Sequence, residues 1–200
     1  MDRSIIRLGA EHRAAAVATL AAAFFDDPAI CYLLPDPSVR APRLAAFMRL
    51  VYDEHLRVGL LLGTPGAEAV TLWRPPGRVH LHQPIWHPDA LRYVPIFRSR
   101  LLRAIAIDDA IRAHLPSDEG WFYLKYAAVR PDCQGKGLGG LAIRAGLAEA
   151  AARAVPAVLE TATPSNLGLY QNLGYGVQRE WQVPKGGPRF WSMRNLAPAA

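Results

Sequence analysis

Apolar positions recur along the chain with two different periods, one that of a strand and one that of a helix. Residues 121–129, WFYLKYAAV, concentrate Trp121, Phe122, Tyr123, Leu124, Tyr126 and Val129, the aromatic and β-branched density of a buried strand. Pro131 ends it, because proline donates no backbone hydrogen bond and restricts the residue before it. Upstream, residues 4–8 read as a short strand and residues 11–25 as an amphipathic helix, with Val17, Leu20, Ala21 and Phe24 at helical spacing. Asp26-Asp27-Pro28 breaks that helix, and Asp27-Pro28 predicts a second short helix through Tyr32 or Leu33. Pro35, Pro37 and Pro42 punctuate a predicted loop. Residues 43–56 then read as a third helix, and residues 59–63 and 67–73 as two strands joined by a Thr64-Pro65-Gly66 turn.

Residues 74–87 carry no period and are rich in proline and histidine. Residues 88–115 are predicted mostly helical, with Leu91, Val94, Phe97, Leu101, Ile105 and Ile111 as apolar positions. A helix follows the strand at 121–129 and its glycine-rich turn, running to about residue 154. Residues 157–161 read as a strand, and residues 164–173 as a short helix stopped by Gly174. Residues 176–183 and 189–195 are two closing strands across a turn at 184–188. No repeat and no linker divides the chain, so the pattern predicts one mixed α/β (α+β) domain with about seven strands.

Composition narrows this further. Two hundred residues, 51% of them apolar, suit a single folded domain. The net charge of +6 comes from scattered basic residues without a lysine run or an aromatic-basic stripe, which argues against nucleic acid as a partner. No apolar run reaches membrane-spanning length, and Met1-Asp2-Arg3-Ser4 lacks the layout of a secretory signal. Cys31 and Cys133 form no disulfide or metal pattern, which fits a reducing cytoplasm; Cys133 reads as a surface thiol. His80, His82 and His87 have no Cys, Asp or Glu nearby to complete a site, so no metal is expected.

The candidate chemistry lies after Pro131. The turn Gln134-Gly135-Lys136-Gly137-Leu138-Gly139-Gly140 feeds directly into a helix. Glycines let backbone approach a ligand, and a helix start presents unpaired N–H groups, so this stretch is suited to phosphate. Gly135, Gly137 and Gly140 satisfy the dinucleotide fingerprint literally, with Glu160 further on. Five residues separate the strand from the first glycine, however, and too little chain follows for a doubly wound sheet. A nucleotide-hydrolase phosphate loop fails as well, because Lys136 lacks the required spacing and the following Ser or Thr.

Val129-x-Pro131-x-x-Gln134-Gly135-Lys136-Gly137-Leu138-Gly139 instead resembles the acyl-CoA signature of the GNAT superfamily of N-acetyltransferases, Q/R-x-x-G-x-G/A. Leu159-Glu160-Thr161, Asn166, Tyr170 and Leu173-Gly174-Tyr175 follow in that family's order. Further short matches along the chain, Trp73 with Pro75 and Arg189-x-Trp191-x-Met193 among them, resemble its puromycin N-acetyltransferase subgroup. The resemblance implies a single GNAT domain over 1–200, its central sheet mixed and mostly antiparallel and flanked by helices. Residues 1–116 would lie on the acceptor side, 117–183 would form the acetyl-CoA core, and 189–195 a closing strand.

It also implies roles. The backbone of Gln134, Gly135, Lys136, Gly137, Leu138 and Gly139 would cradle the cofactor's pyrophosphate, and the pantetheine arm would run along Ala127, Ala128 and Val129. The Val129 N–H would polarise the thioester carbonyl. Asn166 would hold the arm from the other side or cap a helix. Tyr170 would protonate the departing thiolate. Glu160 is the first candidate for general base, with Asp27 second; Asp27 would alternatively cap a helix or bind a cationic acceptor. Phe24, Tyr32, Trp73 and Trp121 are further candidates to line the acceptor pocket. The expected reaction is direct transfer from acetyl-CoA, with no metal, to a small-molecule primary amine, by a monomer or homodimer. A protein lysine or N-terminal acetyltransferase, or an acyl-CoA-binding regulator without turnover, are the competing readings.

Overall fold

The strand predicted at 121–129 becomes the middle of a seven-stranded sheet. The computed structural model describes residues 2–78, 88–116 and 120–195. Its strands are β1 (Ile6–Arg7), β2 (Leu60–Gly63), β3 (Ala69–Arg74), β4 (Phe122–Val129), β5 (Ala157–Thr161), β6 (Tyr175–Gln182) and β7 (Arg189–Asn195). They lie in the order β1-β2-β3-β4-β5-β7-β6. β4 and β5 run parallel, and every other pairing is antiparallel. The helices are α1 (Arg13–Ala23), α2 (Pro28–Leu33), α3 (Pro37–Val58), α4 (Val94–Phe97), α5 (Leu101–His114), α6 (Leu138–Ala151) and α7 (Leu167–Asn172).

Alternation along the strands assigns these helices to two faces. Val70, Leu72 and Ala128 point into a core shared with α1, α3, α4 and α5, which holds Leu20, Leu44, Met48 and Phe97. Trp73, Phe122, Leu124 and Leu159 point the other way, against Ile143 and Ala150 of α6 and Tyr170 of α7. The sheet is thus covered on both sides, and its two helical layers are separate cores.

Two expectations are corrected. The proline-rich stretch after residue 35 is not a loop: α3 starts at Pro37, with Asp36 accepting a hydrogen bond from the Ser38 N–H at 2.9 Å. Proline suits the first helical position, and Pro42 forfeits only the bond to the Ser38 carbonyl, at an exposed residue. Residues 88–115 are mostly helical, as expected, in pieces divided at Arg98, whose φ of 47° no helix accommodates; 3-10 turns at Pro88–Tyr93 and Arg98–Arg100 flank α4 before α5 begins. β7, the last strand of the chain, lies between β5 and β6. Cys133 is no surface thiol: it is buried among Ala69, Leu138 and Ala142, with the Arg130 guanidinium 3.3 Å from its sulfur. The stretch holding His80, His82 and His87 lies outside the described residues.

Candidate active site

The site begins where two strands part. β4 and β5 pair only at Phe122, Tyr123 and Leu124, although β4 runs on to Val129. Beyond Leu124 the β5 side of β4 is uncovered, while its other side stays bonded to β3. Antiparallel alternation fixes which groups face the gap. The Arg130 N–H donates to the Glu68 carbonyl of the β3 side at 2.8 Å, and the Thr64 N–H takes up the Ala69 carbonyl at 3.1 Å, turning Ala69 away from its partner Val129. Val129 and, two residues back, Ala127 therefore direct their N–H and C=O groups into the gap. Ala128 bonds to β3 and offers only its side chain, so of the three residues expected along the pantetheine arm two turn their backbone N–H groups toward it. Lys125 is the extra residue of a β-bulge opposite Leu72 and Trp73, which bends the strand at the opening.

The glycine turn follows at once. A 3-10 turn at Pro131–Cys133 leads to Gly135 and Gly137, with φ of 73° and 78°, the left-handed region that glycine enters without a steric penalty. Gly137 is the N-cap of α6, so the N–H groups of Leu138, Gly139 and Gly140 have no carbonyl one turn behind them. The Gln134 side chain folds back to donate to the Val129 carbonyl at 3.2 Å, and Lys136 Nζ donates to the Asp132 carbonyl at 2.9 Å. A Cβ at Gly139 would stand 3.1 Å from the Val129 side chain, so the small residue there seats α6 against β4.

A cavity of about 820 Å³ opens from this gap between the sheet and α1–α5. Glu160 on β5, Asn166 ahead of α7 and Tyr170 on α7 line it, together with Phe24 and Asp27 from the N-terminal part. Glu160 shows part of its side chain to the cavity, yet its Oε2 is buried without a hydrogen-bond partner. Withdrawal from water pushes this carboxyl up to about 8, against the smaller pull of a hydrogen bond from Tyr123 and the positive charge of Lys125. Tyr170 is pushed up to about 12, first by burial and then by the charge of Asp27. Asn166 stands at the N-cap of α7, but its carboxamide makes no capping bond and stays available to the cavity.

Asp27 caps α2. Its Oδ1 accepts from the Ala29 and Ile30 N–H groups at 2.9 and 3.2 Å, and its Oδ2 accepts from the Thr163 hydroxyl at 3.2 Å. Burial raises its pKa more than these bonds lower it. Both oxygens are committed, and the Thr163 bond fastens the N-terminal helices to the loop after β5.

Three predicted pocket residues lie elsewhere. Trp73 is fully buried beneath α6, where a Cβ on Gly146 would overlap its indole. Trp121 packs with Tyr123 and Val158 under the end of α5. Tyr32 carries the Arg103 guanidinium 4.8 Å above its ring and is not part of the cavity wall. In their place the wall is built from Phe47, Tyr93, Phe97 and Tyr126. Phe47 stands edge-on to Tyr93 and Phe97, and Phe24 edge-on to Tyr126 at 5.5 Å between ring centres. Glu54 and Arg74 also line it, anchored by a buried chain: Val51 C=O accepts from His55 Nδ1 at 2.7 Å, Arg74 Nε donates to His55 Nε2 at 3.1 Å, and Arg74 holds Glu54 at 2.8 Å. Burial and the Arg74 charge keep His55 neutral. Arg74, the one charged residue of a buried strand, was the available signal in the sequence.

Comparison with known proteins agrees with this geometry. Residues 98–175 match the model for the acetyltransferase (GNAT) family. Over the whole chain the fold superposes on a structure from Corynebacterium glutamicum described as histone acetyltransferase HPA2 and related acetyltransferase, with a TM-score of 0.73 at 20% identity, covering 98% of this chain and 97% of that one. Arylalkylamine N-acetyltransferase 2 from Aedes aegypti gives 0.62 at 11% identity over 97% and 98% of the two chains. The ribosomal-protein-S18-alanine N-acetyltransferase from Escherichia coli gives 0.56 at 16% over 98% and 95%. At such identities the likeness speaks for the fold, and the family match speaks for the segment that carries the glycine turn, Glu160, Asn166 and Tyr170. Residues 98–175 thus match the GNAT acetyltransferase family, and the chain as a whole shares the fold of these acetyltransferases.

Proposed function

We propose that the protein moves the acetyl group of acetyl-CoA directly to the primary amine of a small molecule with an apolar body, both substrates being bound at once. The observation that carries this reading is a single cavity, walled mostly by aliphatic and aromatic side chains with charged residues among them, that joins the free edge of β4 to Glu160 and Tyr170. The turn from Gln134 to Gly139 would hold the pyrophosphate on unpaired N–H groups. The pantetheine arm would pair with Ala127 and Val129, and the Val129 N–H would face the thioester oxygen. Asn166 would hold the arm from the side of α7.

An alkyl ammonium has a pKa near 10 and must lose a proton before it attacks. A carboxylate held near 8 is far better matched to that task than an ordinary glutamate. Tyr170, held near 12, stays protonated in the resting enzyme, and the same dry surroundings raise the basicity of a thiolate leaving beside it. We assign Asp27 to fixing the cavity wall, because both of its oxygens are already engaged. An aminonucleoside or another antibiotic-like amine fits the wall chemistry. The two free cysteines suit a reducing cytoplasm, and no helix among the described residues is long and apolar enough to cross a membrane.

The test is a thiol-release screen with acetyl-CoA and a panel of puromycin, arylalkylamines, polyamines, aminoglycosides, amino acids and lysine peptides. Fastest release with an apolar small amine is the expected result. Fastest release with peptides would replace this reading by protein acetylation, and tight acetyl-CoA binding without release under any condition by a regulatory role.

A further inference from the structure

Behind Glu160 lies a second cavity of about 490 Å³, between the end of α5 and strands β6 and β7. Glu160 and Leu115 belong to the walls of both cavities. The polar side chains around the second one are His114, Gln178, Arg179, Ser192 and Arg194, with Ala113, Pro116, Val158 and Met193 between them. We propose that this second cavity is the path by which the proton taken up by Glu160 in each turnover reaches solvent. The inference rests on the reading of Glu160 as the base.

The proton count requires such a path. The ammonium gives its first proton to Glu160 and becomes nucleophilic. As the C–N bond forms and the C–S bond breaks, the nitrogen sheds a second proton, which replaces the one Tyr170 gives to the thiolate. One proton per turnover is left on Glu160. The first cavity would then be occupied by acceptor and pantetheine. The second cavity remains clear and is roomy and polar enough for water.

Its lining suits proton passage. Glu160 stands directly across from Ser192 in the β5–β7 register. Ser192 Oγ accepts from Trp181 Nε1 at 2.9 Å, which leaves its own hydrogen free to donate. His114 stacks on Trp181 at 4.1 Å between ring centres, and its Nδ1 lies 2.7 Å from the Ala110 carbonyl. A carbonyl only accepts, so Nδ1 carries the hydrogen and Nε2 is left as an acceptor on this wall. A bulge at Gln178 breaks the β6 ladder at the same place and widens the opening.

Filling the second cavity from its rim tests the proposal, with Ala113→Trp on the exposed side of α5 and Gln178→Leu on β6. With the best amine from the screen, kcat should fall about tenfold while the KM values of both substrates stay unchanged, and the slowing in heavy water should grow. Unchanged kcat and an unchanged heavy-water effect in both variants would overturn it, as would a loss confined to KM. Glu160→Gln separates the two layers of the argument. If Glu160→Gln runs at the unmodified rate, the base reading itself falls. If Glu160→Gln is slow while the filled variants run normally, only the exit path falls. Adding Ala113→Trp to Glu160→Gln should slow it no further.

Discussion

Withdrawal from water acts on two side chains of one cavity with opposite chemical results: it makes Glu160 a stronger base and keeps Tyr170 a proton-bearing phenol. The acetylation rate at low substrate should therefore climb with pH through about 8 as Glu160 ionises. In Glu160→Gln that limb should vanish, leaving a rate about a hundredfold lower that rises only with the amine's own ionisation near 10. Stability should move the other way. An unfolded glutamate ionises near 4.5, whereas the folded one holds its proton to about 8, so between those values the folded state binds more protons and loses stability as pH rises. The Tm advantage of Glu160→Gln should be near zero at pH 4 and grow up to pH 8, by about 2–4 °C for each kcal/mol released, as calorimetry would record. Tyr170→Phe should cut thiol release by about 10- to 100-fold with acetyl-CoA binding intact, and full turnover in that variant would remove the acid role. Glu160, Asn166 and Tyr170 were legible as cavity residues because the segments around them resemble the GNAT family's. Trp73 and Trp121 were not, because an aromatic residue at strand spacing reads the same whether a helix or a ligand covers it.

The β4–turn–α6 unit was the most legible element, since a strand, a proline stop and glycines that need left-handed backbone each act within a few residues. Sequence does not show that β4 and β5 separate after Leu124, because pairing is a long-range outcome. That separation makes a position-specific prediction. The Ala127 and Val129 amides face the gap and should exchange slowly only when coenzyme A is bound. The Ala128 and Arg130 amides, already bonded toward β3, should be protected with and without it, as hydrogen exchange read by NMR would reveal. Uniform protection of all four on binding would mean that the arm does not pair with this edge. Gly137→Ala tests the turn itself. A Cβ there would meet only the Arg3 side chain, at 3.5 Å, so the expected loss of about 1–2 kcal/mol is conformational and should appear as a lower urea midpoint. The start of α3 was missed because three prolines read as a loop, although Asp36-Pro37 is also a helix start.

At the scale of the molecule, the order β5-β7-β6 decides whether Glu160 has a floor beside it. The hairpin of β6 and β7 was legible from the turn at 184–188, and the Val183 N–H indeed bonds to the Pro188 carbonyl at 3.0 Å. Which of its strands docks on β5 was harder to see, yet the reason is written in both. β6 carries Gln178, Arg179 and Glu180 in succession and is exposed over most of its length, as suits a sheet edge. β7 buries Phe190, Ser192 and Met193 and is bonded on both sides. Removing residues 189–200 would therefore strip the ladders of β5 and β6 together and uncover the side of Glu160 that faces Ser192. By contrast, β1 pairs with β2 through two residues only, at the opposite margin. A chain ending at Pro188 should lose its cooperative thermal transition, whereas a chain lacking residues 1–7 should keep one at a lower temperature. Circular dichroism melts of the two would decide it, and a cooperative melt of the shorter chain within a few degrees of the full one would mean that β6 can take the place of β7 against β5.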